Sequence, residues 1–164
     1  RKEKTPASGK EAVSYSGPQK DVEVIPMNNM RRSIARHMRT SLDTSAHVYS
    51  VTEVDMSAVA NYKEAHAGEF LQQEDFKLTY TPFIIDASIK ALKDFPMVNS
   101  SVDIESGEIY QKKSINVGLA VAIEKGLIVP VIKNADERNF LGVAREAYRL
   151  ISRARDNKLD PDDV

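Results

Sequence analysis

Histidines are the residues of this sequence best suited to acid–base or metal chemistry, and their surroundings indicate neither role. The chain has three of them, His37, His47 and His66. A zinc-binding helix would place two histidines four residues apart, and a serine nucleophile motif would set a serine between two glycines. Neither pattern occurs beside them, and no two carboxylates have the spacing of an acid–base pair. The residue pattern therefore predicts no catalytic residue and no metal site, and a surface or structural role for each histidine.

Two charged clusters could bind ligands of opposite charge. Asp160, Asp162 and Asp163 lie at the end of the sequence, where the simplest interpretation is a solvated acidic tail and the alternative is a loose metal site. Four arginines near the start could contact phosphates. No aromatic residues are interleaved with them, which favours a charged solvent face over a nucleic-acid surface. These arginines are Arg31, Arg32, Arg36 and Arg39.

The composition is typical of one soluble globular domain. The chain has 164 residues and a formal net charge of −1, so the charge balance predicts no nucleic-acid partner. It has no cysteine, which excludes disulfides, thiolate chemistry and cysteine-bound metal. The most apolar stretch, residues 117–132 with the sequence VGLAVAIEKGLIVPVI, is interrupted by Glu124 and Lys125. A membrane helix needs about 20 apolar residues in a row, so no membrane segment is predicted.

Four helices are predicted to position the charged and apolar residues. Ser57 is expected to cap the second helix. Thr81 is expected to cap the third, with Pro82 at its first helical position, and this helix is expected to end before Pro96. The fourth helix is predicted over residues 140–158. The first, which Asn28 or Asn29 can cap, has an apolar stripe at every fourth position. The stripe consists of Met30, Ile34, Met38 and Leu42.

Strands are predicted between these helices. Residues 47–55 are rich in β-branched and aromatic side chains and are interpreted as one strand. A hairpin is predicted around Ser106 and Gly107, and a second one within residues 117–132. Because the second hairpin is apolar at nearly every position, its strands are expected to be covered on both faces. Gly126 is expected to adopt a positive φ in its turn.

The interleaving of helices and hairpins predicts an α/β or α+β fold with a largely covered sheet. Gly118 is expected to permit close approach of a neighbouring backbone or ligand, and Pro130 to mark an edge, a bulge or an unpaired amide. Four helices do not supply all the cover that the apolar strands need, so part of the core is expected from other residues or another subunit. Residues 1–23 lack apolar periodicity and are predicted to be a flexible linker.

Five motifs carry a resemblance to a known family. In chain order they are MRRSIARHM, SAHVYSVTEVDM, KLTYTPFIIDASIKAL, FPMVNSSVD and INVGLAVAIEKGLIVPVIKNA. With them, residues 24–164 resemble the N-terminal two-thirds of the catalytic domain of the dihydrolipoamide acyltransferase component of 2-oxo acid dehydrogenase complexes. The resemblance implies a chloramphenicol-acetyltransferase-like mixed sheet flanked by helices. It also implies a homotrimer that assembles into a larger core, with decarboxylase and dihydrolipoyl dehydrogenase components as partners, in the bacterial cytoplasm or the mitochondrial matrix.

The reaction implied by this resemblance moves an acyl group between coenzyme A and dihydrolipoyl-lysine, whose lipoyl group belongs to a separate lipoyl domain. In the family a histidine is the general base on the thiol, and a hydroxyl donor stabilises the oxyanion. The family pattern of Asp-His-Arg followed by Asp-Gly lies beyond the position that matches Val164. We therefore expect the catalytic His and Asp beyond Val164 and an inactive 164-residue chain. The alternative role for the chain is a non-catalytic assembly element.

Two residues match coenzyme-binding positions of the family. By resemblance, Lys63 is a cation that contacts coenzyme A and Thr79 is a hydroxyl that hydrogen-bonds it. The alternatives are a solvated helix lysine and a structural hydroxyl where the chain approaches a helix. Ala122 and Ile151 match two further contact positions but have no polar side chain. His47 lies where acetyl- and branched-chain-type members carry a histidine, which favours those acyl groups over the alternative, succinyl.

Overall fold

The structure is a computed structural model that describes residues 22–124 and 126–164. The chain divides into two structural units after Thr52. The linker predicted over residues 1–23 lies outside the described residues except for its last two positions, and it stays a prediction.

The described part of the first unit contains one helix, α1 (Asn29–Thr44). It begins where the side chain of Asn28 accepts a 2.8 Å hydrogen bond from the N–H of Arg31. The predicted helix and one of its two candidate caps are therefore confirmed. The four residues of the apolar stripe are all exposed, so α1 buries none of them in this structure.

Residues 47–55 do not form a strand, and the prediction of one there is wrong. Val48, Tyr49 and Val51 are 91%, 85% and 96% exposed. A strand needs a neighbouring ladder to satisfy its backbone N–H and C=O groups. No strand among the described residues pairs with this segment. The preference of such residues for strands reflects packing on a sheet surface, so without a partner the composition does not decide the conformation.

The described part of the second unit contains three further α-helices, of which α2 (Ser57–Glu74) and α3 (Thr81–Asp94) come first. Helix α3 ends before Pro96, as predicted, but its cap is Tyr80 and not Thr81, which is the first helical residue. Ser57 is not the cap of α2, which corrects the sequence-based expectation. It is the first helical residue, and the side chain of Asp55 accepts a 2.8 Å hydrogen bond from its N–H.

Helix α4 (Phe140–Arg155) has a clear beginning and a clear end. Its cap is Asn139, whose side chain accepts a 2.8 Å hydrogen bond from the N–H of Gly142. It ends three residues before the predicted end at position 158. Asn157 adopts a φ of 54°, and a residue in this left-handed conformation cannot continue a right-handed helix.

Six short strands occur in the described part of the chain. They are β1 (Ser100–Asp103), β2 (Glu108–Gln111), β3 (Val117–Gly118), β4 (Val121–Ile123), β5 (Gly126–Ile128) and β6 (Val131–Ile132). They form three antiparallel pairs: β1 with β2, β3 with β6, and β4 with β5 inside the β3–β6 pair. Both predicted hairpins are confirmed, and so is the prediction of a fold that combines helices and strands. The turns contain positive φ values, 70° at Gly107 and 147° at Gly126, which glycine adopts without steric cost.

Gly118 and Pro130 lie where the outer β3–β6 pair meets the inner hairpin. A Cβ atom at Gly118 would lie 2.9 Å from Cγ1 of Val129, so the close approach comes from a side chain and not from a backbone. Pro130 is fully buried and lies between β5 and β6, outside both strands. Its carbonyl accepts a 2.8 Å hydrogen bond from the N–H of Leu119.

The core of the second unit lies between α3, α4 and one face of the hairpins. Val143 and Leu150 of α4 and Ile132 of β6 have no exposed surface. Leu127 of β5 is 56% exposed, so the prediction that the strands are covered on both faces is wrong for this structure. Helix α4 contacts β4 and β6 and covers a single face. The other buried members of this cluster are Ile85, Ile89, Ile115, Leu119, Val121, Ala135, Ala147 and Ala154.

The acidic end of the sequence is bound to α4, which corrects its interpretation as a solvated tail. Arg149 donates a 3.0 Å hydrogen bond to Asp163, and Arg153 donates one of 2.7 Å to Asp160. These arginines are four residues apart and so lie on one face of the helix. The backbone N–H of Asp160 and the Arg149 side chain together lower the pKa of the Asp163 carboxyl. Asp162 is exposed, as expected of a tail residue.

Candidate functional site

A pocket of about 530 Å³ lies within the second unit, between the end of α2, the start of α3 and one face of α4. We call it the α2–α4 pocket. Its volume falls within the range of about 300–1,000 Å³ that is usual for small-molecule sites. Its lining residues come from three elements that the core holds together. They are Leu71, Asp75, Phe76, Lys77, Thr79, Thr81, Pro82, Ala144, Ala147, Tyr148, Ile151, Ser152 and Arg155.

Aromatic side chains form one wall of the α2–α4 pocket. The rings of Phe76 and Tyr148 are stacked, with 4.5 Å between centroids and 11° between planes. Phe70 meets Phe76 edge-on at 5.2 Å. Phe76 is 8% exposed whereas Tyr148 is 49% exposed. Tyr148 is therefore held by its partner on one ring face and is accessible on the rest of its surface.

The charged groups of the α2–α4 pocket are predominantly cationic. Lys77 and Arg155 line it, and the opposing carboxylate is that of Asp75. Neither cation has an ion-pair partner among residues 22–124 and 126–164. Three hydroxyl-bearing residues, Thr79, Thr81 and Ser152, also line the pocket. A ligand with anionic oxygens and a flat apolar portion would match this lining.

An ion pair joins the two helices beside the pocket. Arg145 of α4 donates hydrogen bonds of 2.6 Å and 2.8 Å to the two carboxylate oxygens of Glu74, the last residue of α2. Hydrogen bonding from Arg145 lowers the pKa of the Glu74 carboxyl. The neighbours of this pair in sequence, Asp75 and Ala144, both line the α2–α4 pocket. The pair therefore fixes the separation of two pocket walls.

The two predicted coenzyme-binding residues are both neighbours of Tyr80, Lys63 in space and Thr79 in sequence. Lys63 is half-buried on α2, with its Nζ atom 5.0 Å from the centre of the Tyr80 ring. This distance is within the range of a cation–π contact. Thr79, which precedes Tyr80, lines the α2–α4 pocket, whereas Lys63 does not. The structure thus brings both residues to one region but only one of them into the pocket.

The two further positions matched by resemblance are separated. Ile151 lines the α2–α4 pocket together with Thr79, whereas Ala122 is an exposed residue of β4 that does not line it. Any ligand contact at either position would have to be apolar or made by the backbone.

All three histidines are exposed. His37 is exposed on α1. His47 places its Nδ1 atom 2.9 Å from the carbonyl oxygen of Ser45. His66 stacks on Tyr62 with 4.1 Å between ring centroids, and its Nδ1 lies 2.8 Å from the Tyr62 carbonyl oxygen. Each is thus a surface residue. The rings of His47 and His66 contact residues only two and four positions away in the sequence.

Residues 22–124 and 126–164 contain no group of three or more histidine, aspartate or glutamate side chains that could hold a metal ion. In the same part of the chain, no helix has the length and apolar character that crossing a bilayer requires.

Sequence reasoning missed most of the residues that line the α2–α4 pocket. Tyr148, Ser152 and Arg155 are spaced by four and three residues, which places them on one face of α4. That spacing could have identified them as a shared surface. Lys77 lies in the connection after α2, and no local pattern places it opposite α4.

A family profile described as 2-oxoacid dehydrogenases acyltransferase (catalytic domain) matches residues 19–164. Three Bacillus subtilis proteins are similar. A lipoamide acyltransferase component of branched-chain alpha-keto acid dehydrogenase complex is 38% identical over 94% of this chain. A succinyltransferase component of 2-oxoglutarate dehydrogenase complex is 36% identical over 94% of this chain. An acetyltransferase component of pyruvate dehydrogenase complex is 39% identical over 82% of this chain. The matches span 36%, 36% and 30% of these relatives, so the chain covers about a third of their length.

Solved structures share the fold. A probable dihydrolipoamide acetyltransferase from Listeria monocytogenes 4b F2365 superposes with a TM-score of 0.80 and 38% identity, over 87% of this chain and 60% of that one. The cubic core of the pyruvate dehydrogenase multienzyme complex superposes with a TM-score of 0.79 and 30% identity, over 87% of this chain and 58% of that one. The fold expected from the resemblance is confirmed. The chain belongs to the 2-oxoacid dehydrogenase acyltransferase family, and residues 19–164 match the catalytic domain of that family.

Proposed function

We propose that the full-length protein is a dihydrolipoyllysine-residue acyltransferase that forms the core of a 2-oxo acid dehydrogenase complex. It would transfer an acyl group between the lipoyl group of a separate lipoyl domain and coenzyme A. Membership of the acyltransferase family supports this activity. The observation that carries it is the α2–α4 pocket, which has cationic and hydroxyl groups beside an aromatic wall and includes Thr79.

We assign coenzyme-binding roles to Lys63 and Thr79. The Lys63 ammonium is a compact charge suited to the phosphates of the coenzyme. Its Nζ atom lies 5.0 Å from the centre of the Tyr80 ring, and it has no ion-pair partner among the described residues. Thr79 lines the α2–α4 pocket, and its hydroxyl would exchange a hydrogen bond with the coenzyme there. Under the alternatives, in which Lys63 is a solvated lysine and Thr79 a structural hydroxyl, neither residue would contact the coenzyme.

The residues described here would bind the coenzyme, and the proton transfer would fall to others. We propose that the catalytic His and Asp lie beyond Val164, because the family pattern of Asp-His-Arg followed by Asp-Gly does not occur in this sequence. The general base would take the proton of the thiol, the thiolate would attack the carbonyl of the thioester, and a hydroxyl donor would stabilise the oxyanion. Collapse of this intermediate would break the original carbon–sulfur bond, and the leaving thiolate would take the proton back from the base. Residues 24–164 would then be the N-terminal two-thirds of the catalytic domain, preceded by a linker over residues 1–23.

The acyl group is proposed to be acetyl or branched-chain. This preference rests on His47 alone, since relatives of the acetyl, branched-chain and succinyl types are similar to the chain at 36–39% identity. The proposed partners are two further copies of the chain in a trimer, and the decarboxylase and dihydrolipoyl dehydrogenase components.

Acyl transfer by the purified full-length protein tests this function. We expect transfer from acetyl-CoA or a branched acyl-CoA to dihydrolipoamide, with succinyl-CoA as a poorer substrate. Transfer from none of the three acyl-CoA donors would contradict the proposed activity, and a preference for succinyl-CoA would contradict the proposed acyl group.

A second candidate function is that of an assembly element. The apolar stripe of α1 and the side chains of residues 47–55 are exposed, which is the surface expected of a segment that other chains or segments cover. The 164-residue chain is expected to lack acyl transfer. Transfer activity of that chain would exclude a purely structural role and would place the general base among its own residues.

A further inference from the structure

We propose that Arg149 and Arg153 are positioning residues for the part of the catalytic domain that follows Val164. They hold residues 156–164, which we call the α4 strap, against helix α4, and so fix the place and direction in which the chain continues. This inference rests on the proposed function, which places the catalytic His and Asp beyond Val164. The strap is bound to α4 through its first turn, through one apolar side chain and through two carboxylates.

The α4 strap begins with a turn that ends the helix. Asn157 adopts a φ of 54°, and its N–H donates a 3.2 Å hydrogen bond to the carbonyl of Ala154. The N–H of Lys158 donates one of 2.8 Å to the carbonyl of Arg153. These two backbone bonds form a Schellman motif, which satisfies the last carbonyls of a helix. The next residue, Leu159, is half-buried and packs against the apolar core, so the chain stays on the protein after the turn.

Two arginines of α4 hold the rest of the strap. Arg153 donates hydrogen bonds of 2.8 Å to the carbonyl of Lys158 and 2.7 Å to the carboxylate of Asp160. Arg149 donates one of 3.0 Å to Asp163, whose carboxylate also lies 3.3 Å from the Arg153 guanidinium. A later residue of the strap is thus bound to an earlier residue of the helix. The strap therefore runs antiparallel to α4.

Both sides of this contact are held by further hydrogen bonds. Arg149 also donates two, of 2.8 Å and 3.1 Å, to the carboxylate of Glu146 on α4, which fixes the plane of its guanidinium. Within the strap, the N–H of Asp160 donates a 3.0 Å hydrogen bond to the side chain of Asp163. The side chains of Asp163 and Glu146 are 13% and 19% exposed, so water competes little for these contacts. The end of the strap is therefore fixed relative to α4.

The α4 strap is bound beside the face of α4 that lines the α2–α4 pocket. Tyr148 and Ser152 line the pocket, and Arg149 and Arg153 follow them directly in the sequence. Each residue of an α-helix adds a rotation of about 100°, so the two faces adjoin. The chain after Val164 therefore starts from the helix that forms one wall of the proposed coenzyme site. Loss of the strap contacts would move this starting point while the pocket residues keep their places.

Steady-state kinetics of the full-length protein test the positioning role, with Arg149→Gln and Arg153→Gln as the variants. We expect each to lower kcat by about tenfold, because small displacements of catalytic groups are costly, and to leave the KM for coenzyme A unchanged. Lys158→Gln is the matched control, since it removes only an exposed ion pair with Asp156 and keeps the carbonyl that Arg153 contacts. An unchanged kcat in both arginine variants, or an equal fall in the control, would overturn the proposal.

A double variant tests whether Arg149 acts through the strap. Asp163→Asn should also lower kcat, and combining it with Arg149→Gln should add little, because both changes remove the same contact. Effects on kcat that multiply in the double variant would show that Arg149 acts through other contacts and would overturn its role. Circular dichroism at the assay temperature checks that each variant is folded, so that a lower kcat does not reflect unfolded protein.

Hydrogen exchange, followed by mass spectrometry of the full-length protein, separates failure of this inference from failure of the proposed function. In both arginine variants, amides of the α4 strap and of the segment after Val164 should exchange about fivefold faster, the scale of a partly exposed ion pair. Unchanged exchange after Val164 would overturn the positioning role even in an active acyltransferase. Faster exchange there, in a protein without acyl transfer, would support the positioning role and contradict the proposed function.

Discussion

Arg145 of α4 and Glu74 of α2 are joined by two hydrogen bonds, 2.6 Å and 2.8 Å long, although they are 71 positions apart in the sequence. This paired contact has the fork geometry of arginine with a carboxylate. Residues on either side of it line the α2–α4 pocket. The pair therefore connects the packing of the two helices to the shape of the proposed coenzyme site.

The first prediction concerns this ion pair. Arg145→Ala in the full-length protein should raise the KM for coenzyme A, because the end of α2 is no longer held against α4. The expected rise is about twofold to fivefold, which corresponds to the loss of a partly exposed ion pair. Steady-state kinetics measure the effect. Lys90→Ala is the control, since it removes an ion pair with Asp86 on α3 that lines no part of the pocket. Equal KM values for both variants would contradict the positioning role.

The second prediction concerns pH. The pKa of Glu74 is lowered in the folded protein by hydrogen bonding from Arg145. A carboxyl with a lowered folded-state pKa stabilises the fold above its ordinary pKa, and this contribution is lost as the pH falls through the lowered value. Glu74→Gln should therefore reduce the loss of stability between about pH 5 and pH 3. Denaturant unfolding at several pH values measures this, and identical pH profiles for the two proteins would contradict it.

The third prediction concerns the hairpin. Gly118→Ala should lower the free energy of unfolding by about 1–3 kcal/mol, as other overpacked sites do, because the new Cβ would lie 2.9 Å from a methyl group of Val129. Valine is stiff about χ1, so it cannot easily move away. Adding Val129→Ala should restore part of the loss in denaturant unfolding. A double variant no more stable than Gly118→Ala would show that the contact is not the cause.

Local patterns in the sequence predicted the elements that depend on local interactions. The Asn28 cap and the four-residue stripe of α1 identified that helix, and Gly107 and Gly126 identified the two turns. The strand over residues 47–55 was wrong because strand formation depends on a partner ladder, which no local pattern specifies. The acidic end was misinterpreted for the same kind of reason, since its arginine partners lie on α4.

The candidate site was only partly predictable. Thr79 was found by resemblance to a family, and the structure places it in the α2–α4 pocket. The α4 residues of the pocket share one helical face and could have been grouped from their spacing. Lys77 and Phe76 could not have been assigned to the pocket from the sequence. Their place opposite α4 depends on tertiary packing between elements about 70 positions apart in the sequence.

The fourth prediction, and the most direct test of the proposed coenzyme site, is the kinetic effect of Lys63→Ala in the full-length protein. We expect the KM for coenzyme A to rise by about tenfold, the scale of one lost charge-assisted phosphate contact, while the KM for dihydrolipoamide stays unchanged. Lys133→Ala, which removes an exposed lysine elsewhere, should change neither value. Equal rises for coenzyme A and dihydrolipoamide, or no change in either, would contradict the assignment of Lys63 to the coenzyme phosphates.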